Sequence, residues 1–219
     1  MEGLSSWWSY VTANTDTIIE EGIIHLQVVG IAVGIATVIA VTLAVLIYRN
    51  QLARTVVLSL ASIMLTVPSL ALFAVFVPIV GIGNTPAIIA LVIYAQLPIL
   101  RNTVTGLTGV SPAVVESAKG MGMTNVQQLV KIRLPLALPL ILAGVRVSTL
   151  LTVSIAAITV LIGGSGLGSF IQRGITSQGF DFADNAVYTG TFFIILIGLL
   201  LDALLRLVQR LVTPSGLAS

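Results

Sequence analysis

Residues 55–100 read TVVLSLASIMLTVPSLALFAVFVPIVGIGNTPAIIALVIYAQLPIL, bracketed by Arg54 and Arg101 with no charged side chain between them. A membrane crossing uses about 20 apolar residues at about 1.5 Å each. This stretch therefore predicts two spans, with the break at 78–86, where Pro78, Gly81, Gly83, Asn84 and Pro86 supply turn chemistry. Working outward, the apolar run between Glu21 and Arg49, interrupted only by His25, predicts a first span over 23–47. Residues 138–162 predict a fourth and 187–205 a fifth, the last closed by Arg206 and Arg210. The more polar stretch 102–135 holds both lysines and reads as a loop with helices of its own.

Composition supports the bilayer reading. Of the 219 residues 57% are hydrophobic and 8% charged, where a soluble domain carries about 25% charge. The absence of cysteine removes disulfides, thiolate metal sites and cysteine nucleophiles, and a single histidine leaves no histidine-built metal site. No basic run exists to hold nucleic acid. The first residues lack a basic stretch followed by a short apolar core and a small-residue cleavage site, so they do not read as a secretory signal.

Charge sign by location sets the direction. With five spans, Arg49, Arg54, Arg101, Lys119, Lys131, Arg133, Arg206 and Arg210 all fall on one side. Glu2, Asp16, Glu20, Glu21, Asp181 and Asp184 fall on the other, against Arg173 alone. The positive-inside rule then places the N-terminus outside and the C-terminus in the cytosol. A four- or six-span reading would put a basic cluster outside. The expected fold class is an all-α polytopic membrane protein with an extracytoplasmic segment 1–22, a transmembrane unit 23–212 and a cytoplasmic tail 213–219. Ala32, Ala36, Ala40 and Ala44 repeat every four residues in the first span beside Gly30 and Gly34. Such a stripe lets another helix approach closely, within the chain or from a second subunit.

The cytosolic loop carries the most information. Ser111 followed by Pro112 signals a helix start, Gly120 and Gly122 end that helix, and Thr124 can cap a second one that Pro135 closes. Two short cytosolic helices joined at glycines contain no catalytic residues, but their apolar faces and one carboxylate suit docking on another protein. Glu116-Ser117-Ala118, three residues, Gly122, nine residues, then Ile132-x-Leu134-Pro135 resembles the Glu-Ala-Ala loop of ATP-binding-cassette importer permeases. Ser117 replaces the usual alanine.

The resemblance implies a MetI-like permease fold. It makes Glu116, Ser117, Ala118, Gly120, Gly122, Ile132, Leu134 and Pro135 the segment seated on a cytosolic ATPase subunit. ATP and Mg would be used there and no cofactor bound by this chain. Further partners implied are a second permease copy, identical or paralogous, and an extracytoplasmic solute-binding protein, all in the cell membrane. A second set of residues is similar to permeases of osmoprotectant importers, whose solutes include glycine betaine, choline, carnitine and proline. These are Thr66-Val-Pro68-Ser69, Gly81-Ile-Gly83, Leu97-Pro98, Arg101-Asn102-Thr103, Ala143-Gly144-Val145-Arg146 and Gly163-Gly-Ser-Gly-Leu-Gly168.

Remaining polar residues give the other site candidates. Pro68 and Ser69 can break backbone pairing in the second span, and freed carbonyls at membrane depth must face protein or water. Tyr94 offers a ring that attracts quaternary ammonium, with a membrane-belt or packing role as the favoured alternative, and Gln96 adds polarity. Arg146 is the one charge placed well inside a span, which makes it a candidate for the pathway or for a structural role. Asp202 and Arg206, one turn apart, pair locally. Arg173, Asp181 and Asp184 form the expected landing surface for the binding protein. No phosphate-cradling Gly-x-x-x-x-Gly-Lys-Ser/Thr segment occurs, and the glycines at 163–168 read as an external turn. A channel or secondary transporter would need a coupling carboxylate or polar filter in the bilayer. A membrane enzyme would need a positioned acid, base or metal.

Overall fold

Every regular element is helical in the computed structural model, which describes residues 2–212 and so leaves the expected 213–219 tail outside the described residues. The order is α1 (Glu2–Ala13), α2 (Thr15–Ile47), α3 (Gln51–Thr66), α4 (Ser69–Val80), α5 (Asn84–Thr108), α6 (Pro112–Gly120), α7 (Asn125–Gln128), α8 (Leu134–Ala156), α9 (Gly168–Thr176) and α10 (Ala183–Val212). A π-turn, Leu129–Arg133, joins α7 to α8, making one helix of 32 residues, Asn125–Ala156. A 3₁₀ turn, Thr159–Ile162, follows. Among the described residues α2, α5, α7–α8 and α10 are each long and apolar enough to cross a membrane. The pair α3 and α4, bent by 95°, makes a fifth crossing when counted as one span.

α5 is the centre of the bundle, packed against both α2 and α8, which also touch each other. Ala32, Ala36, Ala40 and Ala44 are fully buried. The last three pack with Ala95, Ile99 and Leu100 of α5, so the stripe serves packing within the chain. On α8 a Cβ at Gly144 would lie 2.8 Å from the Pro98 carbonyl, and one at Gly106 of α5 would lie 2.8 Å from Ala137 Cβ. Lipid tails are as apolar as leucine, so burial alone does not drive helices together in a bilayer. Close approach over small residues is what holds α5 against α8.

Contacts between distant segments include one group at each end of the bundle. Tyr48, Leu107, Arg133, Pro139 and Gln209 meet at one end. Glu21, Gly83, Asn84, Ile162, Ser165 and Gly166 meet at the other, where Trp7 of α1 also reaches Thr189 of α10.

Several boundaries differ from the sequence expectation. The 22/23 boundary falls inside α2, and α1 is a helix laid on α10 through Trp7, whose Nε1 donates to Thr189 at 3.1 Å and whose ring meets Phe192 edge-on. α5 runs on to Thr108, which shortens the loop expected at 102–135 to 109–124. Pro135 does not close a second cytosolic helix. In the π-turn the Leu134 N–H reaches back five residues to Leu129, and this wider turn accommodates the proline within a continuous helix. The fourth span ends its α-helix at Ala156, with the 3₁₀ turn covering 159–162.

Candidate functional site

α6 begins with Pro112 at its first position behind Ser111, as expected, although the Ser111 hydroxyl makes no capping bond. Val115 and Ala118 turn inward and are buried, whereas Val114, Glu116, Ser117, Lys119 and Gly120 are exposed. The helix stops at Gly120, and the chain turns at Gly122, whose φ of +76° favours glycine. Its N–H donates to the Lys119 carbonyl at 2.9 Å, and the Met123 N–H donates to Ala118 at 3.1 Å.

The following helix starts in a capping box. Thr124 Oγ1 accepts from the Gln127 N–H at 3.3 Å, and Gln127 Oε1 accepts from the Thr124 N–H at 2.8 Å. Buried Gln128 donates to the Met123 carbonyl at 2.8 Å and closes the loop from below. The result is a fixed ridge with exposed Val114, Met121, Val126 and Val130 interleaved with Glu116 and Lys119. Among the described residues Glu116 has no hydrogen bond or ion pair. This end of the bundle thus presents an exposed apolar patch that carries two charges.

Ile132 and Leu134 are half-buried and Pro135 exposed. Leu134 packs on the α2–α5 cluster. Beside them Arg133 Nη1 donates to the Leu107 carbonyl at 2.7 Å, and its guanidinium lies 5.5 Å from the Tyr48 ring centre. Arg49 covers the same ring at 5.4 Å and donates to its hydroxyl at 2.8 Å. These contacts root the ridge in α2 and α5. Sequence reading missed Tyr48 and Gln128 because no local pattern links them to the loop. The Thr124–Gln127 spacing is a legible capping-box signal.

The five polar pathway candidates do not form one cluster. Pro68 caps α4 and Ser69 begins it. Their break frees the Val67 carbonyl, which accepts from the Tyr94 hydroxyl at 2.6 Å. Tyr94 is only 3% exposed, so its ring is packed and its hydroxyl holds the bend. Gln96 faces the other way, its Nε2 lying 3.2 Å from the Val92 carbonyl and 3.4 Å from that of Ala36. Arg146 pairs with Asp202, which also binds Arg206 at 2.7 Å. Asp202 is therefore a second ionisable residue inside the bundle, and its expected local pair with Arg206 is extended across helices by Arg146.

At the opposite end Arg173, Asp181 and Asp184 are exposed and form no ion pair with one another. The Arg173 guanidinium sits 5.5 Å from the centre of the buried Phe170 ring. The glycine turn is fully committed to structure. The N–H groups of Gly163 and Gly164 bond to Val160 and Thr159, that of Ser165 to Asn84 Oδ1 at 2.9 Å, and that of Gly166 to the Glu21 carboxylate. With these donors occupied and a carboxylate at its centre, the turn cannot cradle phosphate. Among the described residues no group of three or more His, Asp or Glu side chains is placed to hold a metal.

Residues 32–214 match the family model described as binding-protein-dependent transport system inner membrane component. The chain is 39% identical over 193 residues to the glycine betaine/carnitine/choline transport system permease protein OpuCB of Bacillus subtilis, covering 88% of this chain and 87% of that one. It is 38% identical over 198 residues to the osmoprotectant import permease protein OsmW of Salmonella typhimurium, with coverages of 88% and 90%. Against the carnitine transport permease protein OpuCD of Listeria monocytogenes identity is 35% over 214 residues, covering 98% and 95%. Among solved structures, the inward-facing MetNI methionine transporter superposes with a TM-score of 0.78 at 24% identity, covering 90% of this chain and 96% of that one. An amino acid ABC transporter solved with histidines gives 0.75 at 21% identity, with coverages of 93% and 97%. Both likenesses confirm the helical fold. The bundle and these matches agree: the chain belongs to the family of binding-protein-dependent transport system inner membrane components, the permease subunits of ATP-binding-cassette importers, which transport rather than catalyse.

Proposed function

We propose that this chain forms half of the translocation path for a compatible solute of the glycine betaine, choline, carnitine or proline class. It pairs with a second permease, identical or paralogous, because five crossings enclose only part of a pathway. The single observation that carries the reading is the exposed α6–Gly122–α7 ridge, rooted in α2 and α5 by Arg133 and Tyr48. The ridge seats on a cytosolic ATPase subunit, which uses ATP and Mg, and Glu116 contributes polar contacts there. The end carrying Arg173, Asp181 and Asp184 receives the loaded solute-binding protein. The solute class is supported by the names of relatives at 35–39% identity.

ATP binding draws the two cytosolic ridges together and opens the cavity outward, and hydrolysis lets it reopen inward. Energy must enter through a surface whose contacts differ between the two states, or ATP could not bias them. Buried Tyr94, with exposed Pro68 and half-buried Ser69, serves the path by fixing the α3–α4 bend.

The test is reconstitution of the permease with its ATPase and binding protein in proteoliposomes, followed by uptake of labelled glycine betaine, choline, carnitine and proline. Uptake of at least one is expected to require both ATP and the binding protein. Uptake that persists without ATP would assign the chain to a different transport class. Orientation has its own check: the natural chain contains no cysteine, so Lys119→Cys supplies a unique thiol. An impermeant maleimide is expected to label it only from the cytosolic side, and labelling from outside would invert the topology.

A further inference from the structure

The strongest unassigned feature is the charge cluster between α8 and α10. Both nitrogens of Arg146 that face α10 engage Asp202, Nε on Oδ1 and Nη2 on Oδ2 at 3.3 Å. Arg206 holds Oδ2 from the opposite side through Nε at 2.8 Å. The Asp202 side chain is 10% exposed, with Arg146 at 30% and Arg206 at 55%. One further tie joins the same two helices, from Gln209 Nε2 to the Pro139 carbonyl at 3.1 Å.

The rest of the α8–α10 contact at this level is apolar, with Ile194, Ile197 and Leu201 packing on the cluster that holds Val153. In the most apolar stretch of α10 11% of residues are buried, against 56% for α5. The nearest atoms to a Cβ at Gly198 are side-chain methyls of Val153 and Leu150 at 3.8 and 3.9 Å, an ordinary contact with no interlock. Where lipid competes equally for apolar surface, polar bonds between helices decide register and rotation. Ionised side chains at membrane depth are costly unless paired, so the pair is strongly held once formed.

We infer that Asp202, by binding Arg146, positions α10 to travel with the coupling segment. The helix that bears Arg146 is continuous from Asn125 to Ala156, so its first turn is the cytosolic ridge and its middle is the anchor for α10. Motion imposed on the ridge by an ATPase then reaches α10 through apolar packing whose register is set by one bidentate ion pair and one amide–carbonyl bond. Pairing also removes Arg146 as a free cation, which would otherwise repel a quaternary ammonium solute. This rests on the ridge being the ATPase seat, as proposed above. Asp202 and Arg146 are positioning residues under this assignment and touch no solute.

The assembled importer carrying spin labels on α6 and near the end of α10 supplies the test, with solute uptake and ATP hydrolysis measured separately. In the unsubstituted protein the α6–α10 distance is expected to stay constant when ATP binds. Asp202→Asn leaves two arginines unpaired, whereas Arg146→Gln leaves Asp202 with Arg206, so the first is the more severe. Both are expected to raise ATP consumed per solute imported by at least about threefold and to broaden the α6–α10 distance. Asp202→Glu is expected to restore most of the coupling. Equal losses of hydrolysis and uptake with an unchanged distance would overturn the assignment, as would a distance in the unsubstituted protein that shifts on ATP binding. Should Asp202→Asn fail to assemble, the milder Arg146→Gln decides by the same readouts. A wild-type importer that takes up solute without ATP would instead remove the underlying reading of the ridge.

Discussion

Gly168→Ala is expected to abolish the folded permease. A Cβ at this position would stand 1.8 Å from the Ala157 carbonyl oxygen and 2.7 Å from its carbonyl carbon, both backbone atoms at the end of α8. No rotamer change relieves a clash between backbones. The surroundings have no slack: a Cβ at Gly190 would meet the Leu167 carbonyl at 2.9 Å, and one at Gly174 the Ala183 carbonyl at 2.4 Å. Three glycines thus let α9 lie against α8 and α10. Ordinary overpacking costs about 1–3 kcal/mol; a clash confined to backbone belongs in the exceptional class of about 4 kcal/mol or more. Gly30→Ala is the control, since nothing lies within 4 Å of its Cβ position and alanine in a helix interior gains about 0.5–1 kcal/mol over glycine. Membrane yield and the thermal midpoint in detergent are the measurements, with Trp7 against Phe192 as a reporter of α10 packing. A Gly168→Ala protein with the unsubstituted midpoint would refute the close approach of α9 to α8.

Span number was legible because charge is excluded from the bilayer, and charge is visible residue by residue. Helix ends were not, because charge marks the membrane edge and a helix can pass through it. α2 begins at Thr15 and carries Asp16, Glu20 and Glu21 outward on regular helix. α5 extends to Thr108 through polar residues whose side chains bond back one turn, Asn102 to Pro98 at 2.8 Å, Thr103 to Ile99 at 2.7 Å and Thr108 to Val104 at 2.8 Å. Such local bonds let polar side chains continue a helix.

At the site, α6 and its glycine stop were readable from capping and turn chemistry. Pro68 was readable as a break but not as a 95° bend, since the bond that holds it comes to Val67 from Tyr94, 27 residues on from Val67. The Arg146–Asp202 pair spans 56 residues. Its only sequence trace is that both ionisable groups lie within the long apolar helices, a cue to function or pairing that names no partner.

The coupling ridge carries the largest functional prediction: Gly122→Val and Glu116→Lys are each expected to cut solute uptake at least about tenfold while the chain still inserts, folds and assembles. At Gly122 the φ of +76° is left-handed, a region that costs a non-glycine residue about 1–2 kcal/mol. Valine, branched at Cβ, stands at the unfavourable end. The chain avoids that cost by leaving the turn, and the Met123-to-Ala118 bond that orients α6 on α7 goes with it. A Cβ at Gly122 meets nothing within 4 Å, so the damage is confined to the direction in which the ridge points. Glu116 is exposed and unpaired among the described residues, so its reversal to lysine leaves the bundle's stability unchanged to within about 0.5 kcal/mol and alters only the docked face. Both proteins should therefore keep thermal midpoints close to the unsubstituted value, yet lose stimulation of ATP hydrolysis by the solute-loaded binding protein. Thr124→Val, which deletes one half of the capping box for about 1 kcal/mol, should fall between them and the parent. Undiminished uptake in both Gly122→Val and Glu116→Lys would show that energy enters the bundle elsewhere.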